Sequence, residues 1–304
     1  MKKIFSNANA PIDLNGKLKN SSAQIIYKIL TKQGVCRENI VGSHIAHMYN
    51  SLRTLSSVPD FQSIVGILPN QRKHELGEDV PVLGVIVETR EHPQLSFVIE
   101  NVIENTGIPV QLFHGEKNLE FILNSPISKW IKSGQVHLTL LNTDELCARK
   151  YNALFLSKEF WHNVRGRKKI LIFQTDAIIC SNSEYSLDDF QSYDYIGSKW
   201  NRNRTLGLII DGGNGGLSLR DWSKTYECIE RFPAEFWRGG EDGYFAFHID
   251  LIGGKVGRED ECAKFSTQYQ FLYNSFGAHQ LSCLIEKTDR EAFKDYCPES
   301  AFMI

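Results

Sequence analysis

The 304-residue sequence has no excess of basic residues, and its first residues lack the apolar stretch that a secretory signal needs. Lys and Arg total 34 against 36 Asp and Glu, giving a formal net charge of −2, so a nucleic acid is not the expected partner. No later apolar run is long enough to span a bilayer. We therefore expect a cytoplasmic protein without a transmembrane segment, and peripheral contact with a membrane stays open.

The seven cysteines are odd in number and widely spaced, and none forms the CxxC pair of zinc sites and thiol oxidoreductases. This spacing predicts a reducing compartment. Hydrophobic residues make up 42% of the chain and charged residues 23%, which is ordinary globular usage. The length favours one large α/β domain with a smaller appendage.

Residues 1–75 differ in pattern from the rest of the chain. Their apolar residues recur at helical spacing, which predicts a helical N-terminal segment. The polar stretch Pro69 to Asp79 is typical of a linker, and residues 80–304 form the main domain. For the N-terminal segment we expect contacts with an acceptor substrate or within a homo-oligomer, and the alternative is that it only covers one side of the main domain.

From Val82 onwards, short apolar strands alternate with amphipathic helices. The strands are VLGVIVET, PVQLFHG, VHLTLLNTD and KKILIFQTD, and the helices between them are HPQLSFVIENVIENTG, NLEFILNSPISKWIKSG and ELCARKYNALFLSKEFWHNV. This order predicts an α/β fold with a Rossmann-type, mostly parallel sheet flanked by helices. The carboxyl ends of parallel strands lie at one edge of the sheet, where ligands bind.

Polar residues follow these strands and are expected to line one crevice. They are Thr89, Arg90, His114, Asn142, Asp144, Gln174, Thr175 and Asp176. Asp176 is interpreted as lying outside the core, because the apolar run ends at Phe173. For a single aspartate the alternative is a turn residue that binds local amides, but several polar strand ends together favour a ligand site.

The run LIIDGGNGGLSLR is rich in glycine. Glycines such as Gly215 would let the backbone approach a ligand, and the Asn214 amide could bind a hydroxyl or a phosphate, whereas the alternative is a tight turn. The glycine spacing does not give GxGxxG and there is no Walker lysine, so the run is weak support for an NAD enzyme or an NTPase.

Two acids, Glu241 and Asp242, follow two glycines in GGEDGYFAFH, at the predicted start of a helix. They could cap that helix, act as a general base with an orienting partner, or do both. Asp176 and His279 could share a divalent cation, since carboxylate and imidazole leave positions for phosphate oxygens and water.

Together, ILIFQTD, YDYIGSKW, GNGGLSLR, EDGYF and FGAH resemble GT-A fold glycosyltransferases, and more closely a bacterial and fungal domain family of proposed glycosyltransferases known mainly from sequence. The resemblance runs from about Val82 to Leu284. It implies a GT-A-like domain that moves a sugar from a nucleotide diphosphate sugar to a hydroxyl of a glycan or other polyol, with Mn²⁺ or Mg²⁺.

The resemblance also implies roles for individual residues. Asp176 and His279 match the metal side of the site, and Asp242 matches the base of inverting members, with Glu241 orienting acceptor or donor. Gln174 stands where these enzymes usually have the first acid of Asp-any-Asp, and it would contact ribose or sugar. The remaining nucleotide-sugar contacts would be Thr89, Arg90, Asn142, Asn152, Thr175, Asn214 and Gly215.

Two other classes of protein stay open. A sugar nucleotidyltransferase shares the parallel sheet, but VETREHP lacks the glycine-rich, basic loop that such enzymes usually have after the first strand. A non-catalytic carbohydrate- or nucleotide-binding protein would consume no nucleotide sugar. The sequence fixes neither the donor nor the acceptor.

Overall fold

The computed structural model describes residues 32–36, 38–42, 45–46, 60–68, 80–166, 168–200, 211–237, 239–269, 271, 274–281 and 287–303. Its strands are β1 (Val82–Val87), β2 (Val110–His114), β3 (Val136–Leu140), β4 (Lys169–Phe173), β5 (Ala177–Ile179), β6 (Tyr195–Ser198), β7 (Asn214–Asp221), β8 (Ser266–Thr267) and β9 (Gly277–His279). Its α-helices are α1 (Leu95–Thr106), α2 (Leu119–Leu123), α3 (Ser128–Lys132), α4 (Ala148–Phe155), α5 (Lys158–Asn163), α6 (Trp222–Arg231), α7 (Glu241–Leu251), α8 (Glu259–Phe265) and α9 (Lys287–Tyr296).

The main sheet has the strand order β3-β2-β1-β4-β7-β6. Strands β1 to β4 are parallel, whereas β7 runs antiparallel to both β4 and β6. This arrangement confirms the predicted α/β fold class with a mostly parallel sheet. Because β7 is reversed, its first residues lie at the edge where β1 and β4 end.

Apolar side chains cover both faces of this sheet. Alternate residues of β1 and β4 join two separate core clusters, with Leu83 and Ile170 in one and Val82 and Leu171 in the other. The first cluster includes residues of α4 to α7, and the second includes residues of α1 and α8. Successive strand residues point to opposite faces, so an unbroken apolar run fits a strand covered on both sides.

Two predicted helices are each broken into a pair. The stretch after β2 divides into α2 and α3 around Pro126, since proline lacks an N–H and disfavours a helical residue before it. The stretch after β3 divides into α4 and α5 at Ser157, whose side chain accepts a hydrogen bond from the Phe160 N–H at 3.2 Å. Ser157 thereby caps a new helix start.

A smaller sheet has the order β5-β9-β8 and lies beyond the end of β4. Asn101 of α1 binds the end of β5. Its side-chain Nδ2 donates to the Ile179 carbonyl at 2.9 Å, and its Oδ1 accepts from the Ile179 N–H at 2.7 Å. Cys180 and Cys297 form a disulfide next to this sheet. The cysteine spacing did not predict this pairing, and the reducing compartment expected from it stays a prediction.

Parts of the N-terminal segment are described. Ile40, Val41 and Ile67 are buried in the same cluster as α4 and α5, and residues 38–42 are helical. The other residues of the predicted segment and of the Pro69 to Asp79 linker lie largely outside the described ranges, so that division into domains stays a prediction. Among described residues, no helix is both long and apolar enough to cross a membrane.

Candidate functional site

A cavity of about 570 Å³ opens where β1 and β4 end and β7 begins. Its lining includes most of the residues predicted for the site: Thr89, Arg90, Asn152, Gln174, Thr175, Asp176, Asn214, Gly215, Glu241, Asp242 and His279. His114, Asp144 and Asn142 were expected in the same crevice, but they do not line this cavity. Asn142 instead holds the N-terminal segment. Its backbone N–H donates to the Ile67 carbonyl at 2.7 Å, and its side-chain amide donates to the Gly66 carbonyl at 2.9 Å.

Asp176 and His279 meet on one side of the cavity. The Asp176 Oδ1 lies 3.2 Å from the His279 Nε2, and the Gln174 Oε1 lies 3.3 Å from the same nitrogen. The imidazole is buried and the Asp176 side chain is half exposed. His279 is the register partner of Ala177 in the β5–β9 ladder, so the fold brings these two groups together through backbone pairing.

The loop 174–176 is short and held at both ends. The Gln174 N–H donates to the Gly216 carbonyl at 2.9 Å, and the Asp176 carbonyl accepts from the Gln280 N–H at 3.1 Å. Burial acts to raise the pKa of the Asp176 carboxyl, but the hydrogen bond and charge of His279 outweigh burial, and the pKa lies below its ordinary value. Asp176 is therefore an anion at neutral pH.

These groups suit a divalent cation that is shared with a ligand. One carboxylate, one imidazole and one amide oxygen offer donors that Mn²⁺ or Mg²⁺ accepts, and they leave positions for phosphate oxygens and water. In the part of the chain that the structure describes, no group of three or more His, Cys, Asp or Glu could hold a metal ion. A cation here would need oxygens from the ligand as well.

Glu241 and Asp242 lie on another side of the cavity, in the first turn of α7, as predicted. The Asp242 Oδ1 accepts from the Gly243 N–H at 2.6 Å, and its Oδ2 accepts from the Gly215 N–H at 3.4 Å. Free amides at a helix start and the helix dipole both favour a carboxylate in this position. The cap interpretation and a chemical role are thus compatible for Asp242.

Glu241 is engaged by a buried guanidinium. Its two carboxylate oxygens accept from the Arg220 Nη1 at 2.5 Å and Nη2 at 3.0 Å. The Arg220 side chain is fully buried and lies near the rings of Phe155, Tyr195 and Phe245. Burial raises the pKa of the Glu241 carboxyl, and the Arg220 charge opposes that rise. Sequence reasoning missed Arg220, because an arginine in a strand pattern is usually exposed.

Two consecutive glycines of β7 separate the two sides of the site. A Cβ at Gly216 would lie 2.0 Å from the His279 Nε2, and a Cβ at Gly215 would lie 2.6 Å from the Glu241 Oε1. Because Cβ positions alternate along a strand, His279 and Glu241 approach β7 from opposite faces. The glycine-rich run therefore allows close packing of side chains, which neither interpretation of the sequence had specified.

The two asparagines predicted to face a donor also hold the backbone. The Asn152 side chain accepts from the Glu241 N–H at 2.8 Å and donates to the Ala148 carbonyl at 2.8 Å, so it joins α4 to the start of α7. The Asn214 Oδ1 accepts from the Gly216 N–H at 2.9 Å. Both side chains line the cavity while fixing its walls.

The loop after β1 forms a further wall. Thr89 donates to the Asp144 carbonyl at 3.2 Å, and Arg90 forms two hydrogen bonds with the buried Glu88 carboxylate at 2.8 and 2.7 Å. His92 and Tyr151 also line the cavity, although no pattern in the sequence selects them. A lone histidine or tyrosine carries no spacing signal that could have revealed its position.

The family model of a protein of unknown function (DUF5672) matches residues 138–282. This range begins in β3 and ends just beyond the last described residue of the cavity wall, Gln280. It therefore includes β4, β7, α7 and β9, but not β1. A comparison with curated proteins finds no match.

Among solved structures, the chain is similar to the WbbM bifunctional glycosyltransferase, at 7% identity and a TM-score of 0.42 over 70% of this chain and 48% of that one. The chain is also similar to a mannosyltransferase from Pyrobaculum calidifontis in complex with GDP-Man and Mn²⁺. The identity is 14% and the TM-score 0.39, over 73% of this chain and 66% of that one. A nucleoside-diphosphate-sugar pyrophosphorylase from Vibrio cholerae is similar at 12% identity and a TM-score of 0.39, over 58% of this chain and 91% of that one.

Proposed function

We propose that this protein is a glycosyltransferase that moves a sugar from a nucleotide diphosphate sugar to a hydroxyl of a glycan or other polyol. One observation supports this best: Asp176 and His279, which could share a cation, and the Asp242 carboxylate in the first turn of α7 line the same cavity at the edge of an α/β sheet. The residues are those that the resemblance to GT-A enzymes selects from the sequence.

In this proposal Asp176 and His279 hold Mn²⁺ or Mg²⁺, with Gln174 beside them. When bound, the cation offsets the negative charge that gathers on the nucleoside diphosphate as it leaves. The residues that the structure describes supply only a few of the positions around the ion. We therefore expect the cation and the nucleotide to bind more tightly together than either does alone.

Asp242 is proposed as the general base. Its carboxylate takes the proton of the acceptor hydroxyl while that oxygen attacks the anomeric carbon on the face opposite to the leaving group. The bond from the anomeric carbon to the diphosphate oxygen breaks with its electron pair on that oxygen. Because the attack comes from the opposite face, the configuration of the anomeric carbon is inverted. Glu241 is held by Arg220 and stays in place beside the reacting groups.

The test is a thermal-shift panel of UDP-, GDP-, CMP- and dTDP-linked sugars with and without Mn²⁺, followed by an assay of nucleotide release with and without candidate glycan acceptors. Ligands that bind the native state raise the unfolding temperature. We expect one nucleotide class to give a Mn²⁺-dependent shift in the wild type and in Asp242→Asn, and that shift to be lost in Asp176→Asn. Asp295→Asn, which changes an exposed acid on α9, is the matched control.

For turnover we expect Asp242→Asn to lower kcat about 10²- to 10⁴-fold, the usual range for a general base. The proposal fails if no nucleotide sugar binds the wild type. It also fails if turnover occurs only with pyrophosphate, since that outcome identifies a nucleotidyltransferase. Binding without any turnover would identify a binding protein.

A further inference from the structure

His92 lines the cavity but has no part in the mechanism proposed above. It lies in the loop between β1 and α1, and this loop is fixed by several hydrogen bonds. The Asn118 amide donates to the Glu88 carbonyl at 2.9 Å and to the Arg90 carbonyl at 3.1 Å. The His92 N–H donates to the same Arg90 carbonyl at 2.8 Å. The imidazole is thus presented from a rigid piece of backbone.

The hydrogen bonds of the ring define where its proton lies. The Nδ1 accepts from the Gln94 N–H at 3.2 Å, so this nitrogen carries a lone pair and the ring is neutral with its proton on Nε2. The Nε2 lies 3.4 Å from the Thr175 Oγ1, a long distance for a hydrogen bond. An N–H donor is therefore aimed at the segment that carries Asp176, where the first proposal puts the diphosphate.

We propose that His92 binds the diphosphate of the donor, by donating its Nε2–H to a phosphate oxygen. This inference rests on the proposed function and names a further contact in the same site. A neutral donor that is already oriented stabilises charge on the leaving oxygens without reorganisation. The proton stays on Nε2 throughout.

The experiment measures the affinity of the wild type, His92→Leu and His92→Gln for UDP, GDP, CDP and dTDP with Mn²⁺ by isothermal titration calorimetry. The matching monophosphate and nucleoside are titrated in parallel. A hydrogen bond to a charged group is typically worth a 10- to 100-fold change in affinity, so we expect His92→Leu to lose about that factor for the diphosphate. The free nucleoside should bind unchanged.

Glutamine can present a side-chain N–H where the Nε2–H lies, so His92→Gln should keep most of the affinity. His162→Leu is the control, since His162 bonds to Tyr226 outside the cavity lining. Equal losses in His92→Leu and His92→Gln would show a structural role and overturn the inference. An equal loss for the nucleoside, or no loss at all, would overturn it too.

The two proposals fail differently. If the wild type binds no nucleoside diphosphate, the proposed function falls and this inference falls with it. If the wild type binds one and His92→Leu binds it equally well, only the role of His92 is overturned.

Discussion

The buried ion pair between Arg220 and Glu241 provides a strong test of how the wall of the site is held. The Arg220 side chain has no exposed area and the Glu241 side chain is 6% exposed. Removing one partner of such a pair typically costs about 3 to 5 kcal/mol, because a charge is left buried and unpaired. We expect Arg220→Met to lower the free energy of unfolding by about that amount.

Equilibrium unfolding in urea measures this loss. In the double variant Arg220→Met with Glu241→Gln no unpaired charge remains, and replacing a whole buried pair is often close to neutral. The double variant should therefore be more stable than Arg220→Met. The control is Arg231→Met, which removes a pair between α6 residues that are both more than one third exposed, and it should cost about 0 to 1 kcal/mol.

The loss should depend on pH. Burial already raises the pKa of the Glu241 carboxyl above its ordinary value, and the Arg220 charge opposes this, so in Arg220→Met the folded-state pKa rises further. A carboxyl whose pKa is raised by folding does not lower the free energy of unfolding at a pH below its unfolded-state pKa. It lowers that free energy as the pH rises through the folded-state pKa. The difference in the free energy of unfolding between the wild type and Arg220→Met should thus be smallest at acidic pH. A constant gap from acid to neutral pH, or a double variant as unstable as the single one, would refute the reasoning.

Two other substitutions test how the side of the cavity proposed to hold a cation is built. Gly216→Ala would place a Cβ 2.0 Å from the His279 Nε2, so we expect it to abolish the Mn²⁺-dependent thermal shift, whereas Gly42→Ala, with nothing within 4 Å, should leave the shift unchanged. Asn101→Leu removes both hydrogen bonds to Ile179, and we expect a loss of about 2 to 4 kcal/mol in urea unfolding because two backbone groups lose their partner. A loss below about 0.5 kcal/mol would mean that water replaces the amide.

Much of the sheet and the position of Asp176 could be predicted from the sequence. Apolar runs followed by polar residues indicate both a strand and the place where it leaves the core, and parallel strands put such ends together. The acids at the start of α7 followed from glycine, charge and the aromatic run after them. These signals are local, and each can be read within about ten residues.

The rest depends on pairing between distant parts of the chain. No nearby residue in the sequence indicates that β7 runs in the reverse direction. The burial of Arg220 is equally invisible in its neighbouring residues, because it depends on the position of Glu241 in a later helix. The Cys180–Cys297 disulfide and the loop that presents His92 depend equally on tertiary neighbours. Asn142 follows a strand like the other polar residues, yet its neighbour is the N-terminal segment.

The ladder between β5 and β9 also bears on how the protein is made. It joins the residue after Asp176 to His279, which is synthesised much later. Domains fold on the ribosome as their chain emerges, and contacts between distant residues form late because their loops must close first. A nascent chain can thus complete most of its main sheet while the proposed cation pair, Asp176 and His279, is not yet assembled. The site becomes whole only when the last small strand arrives.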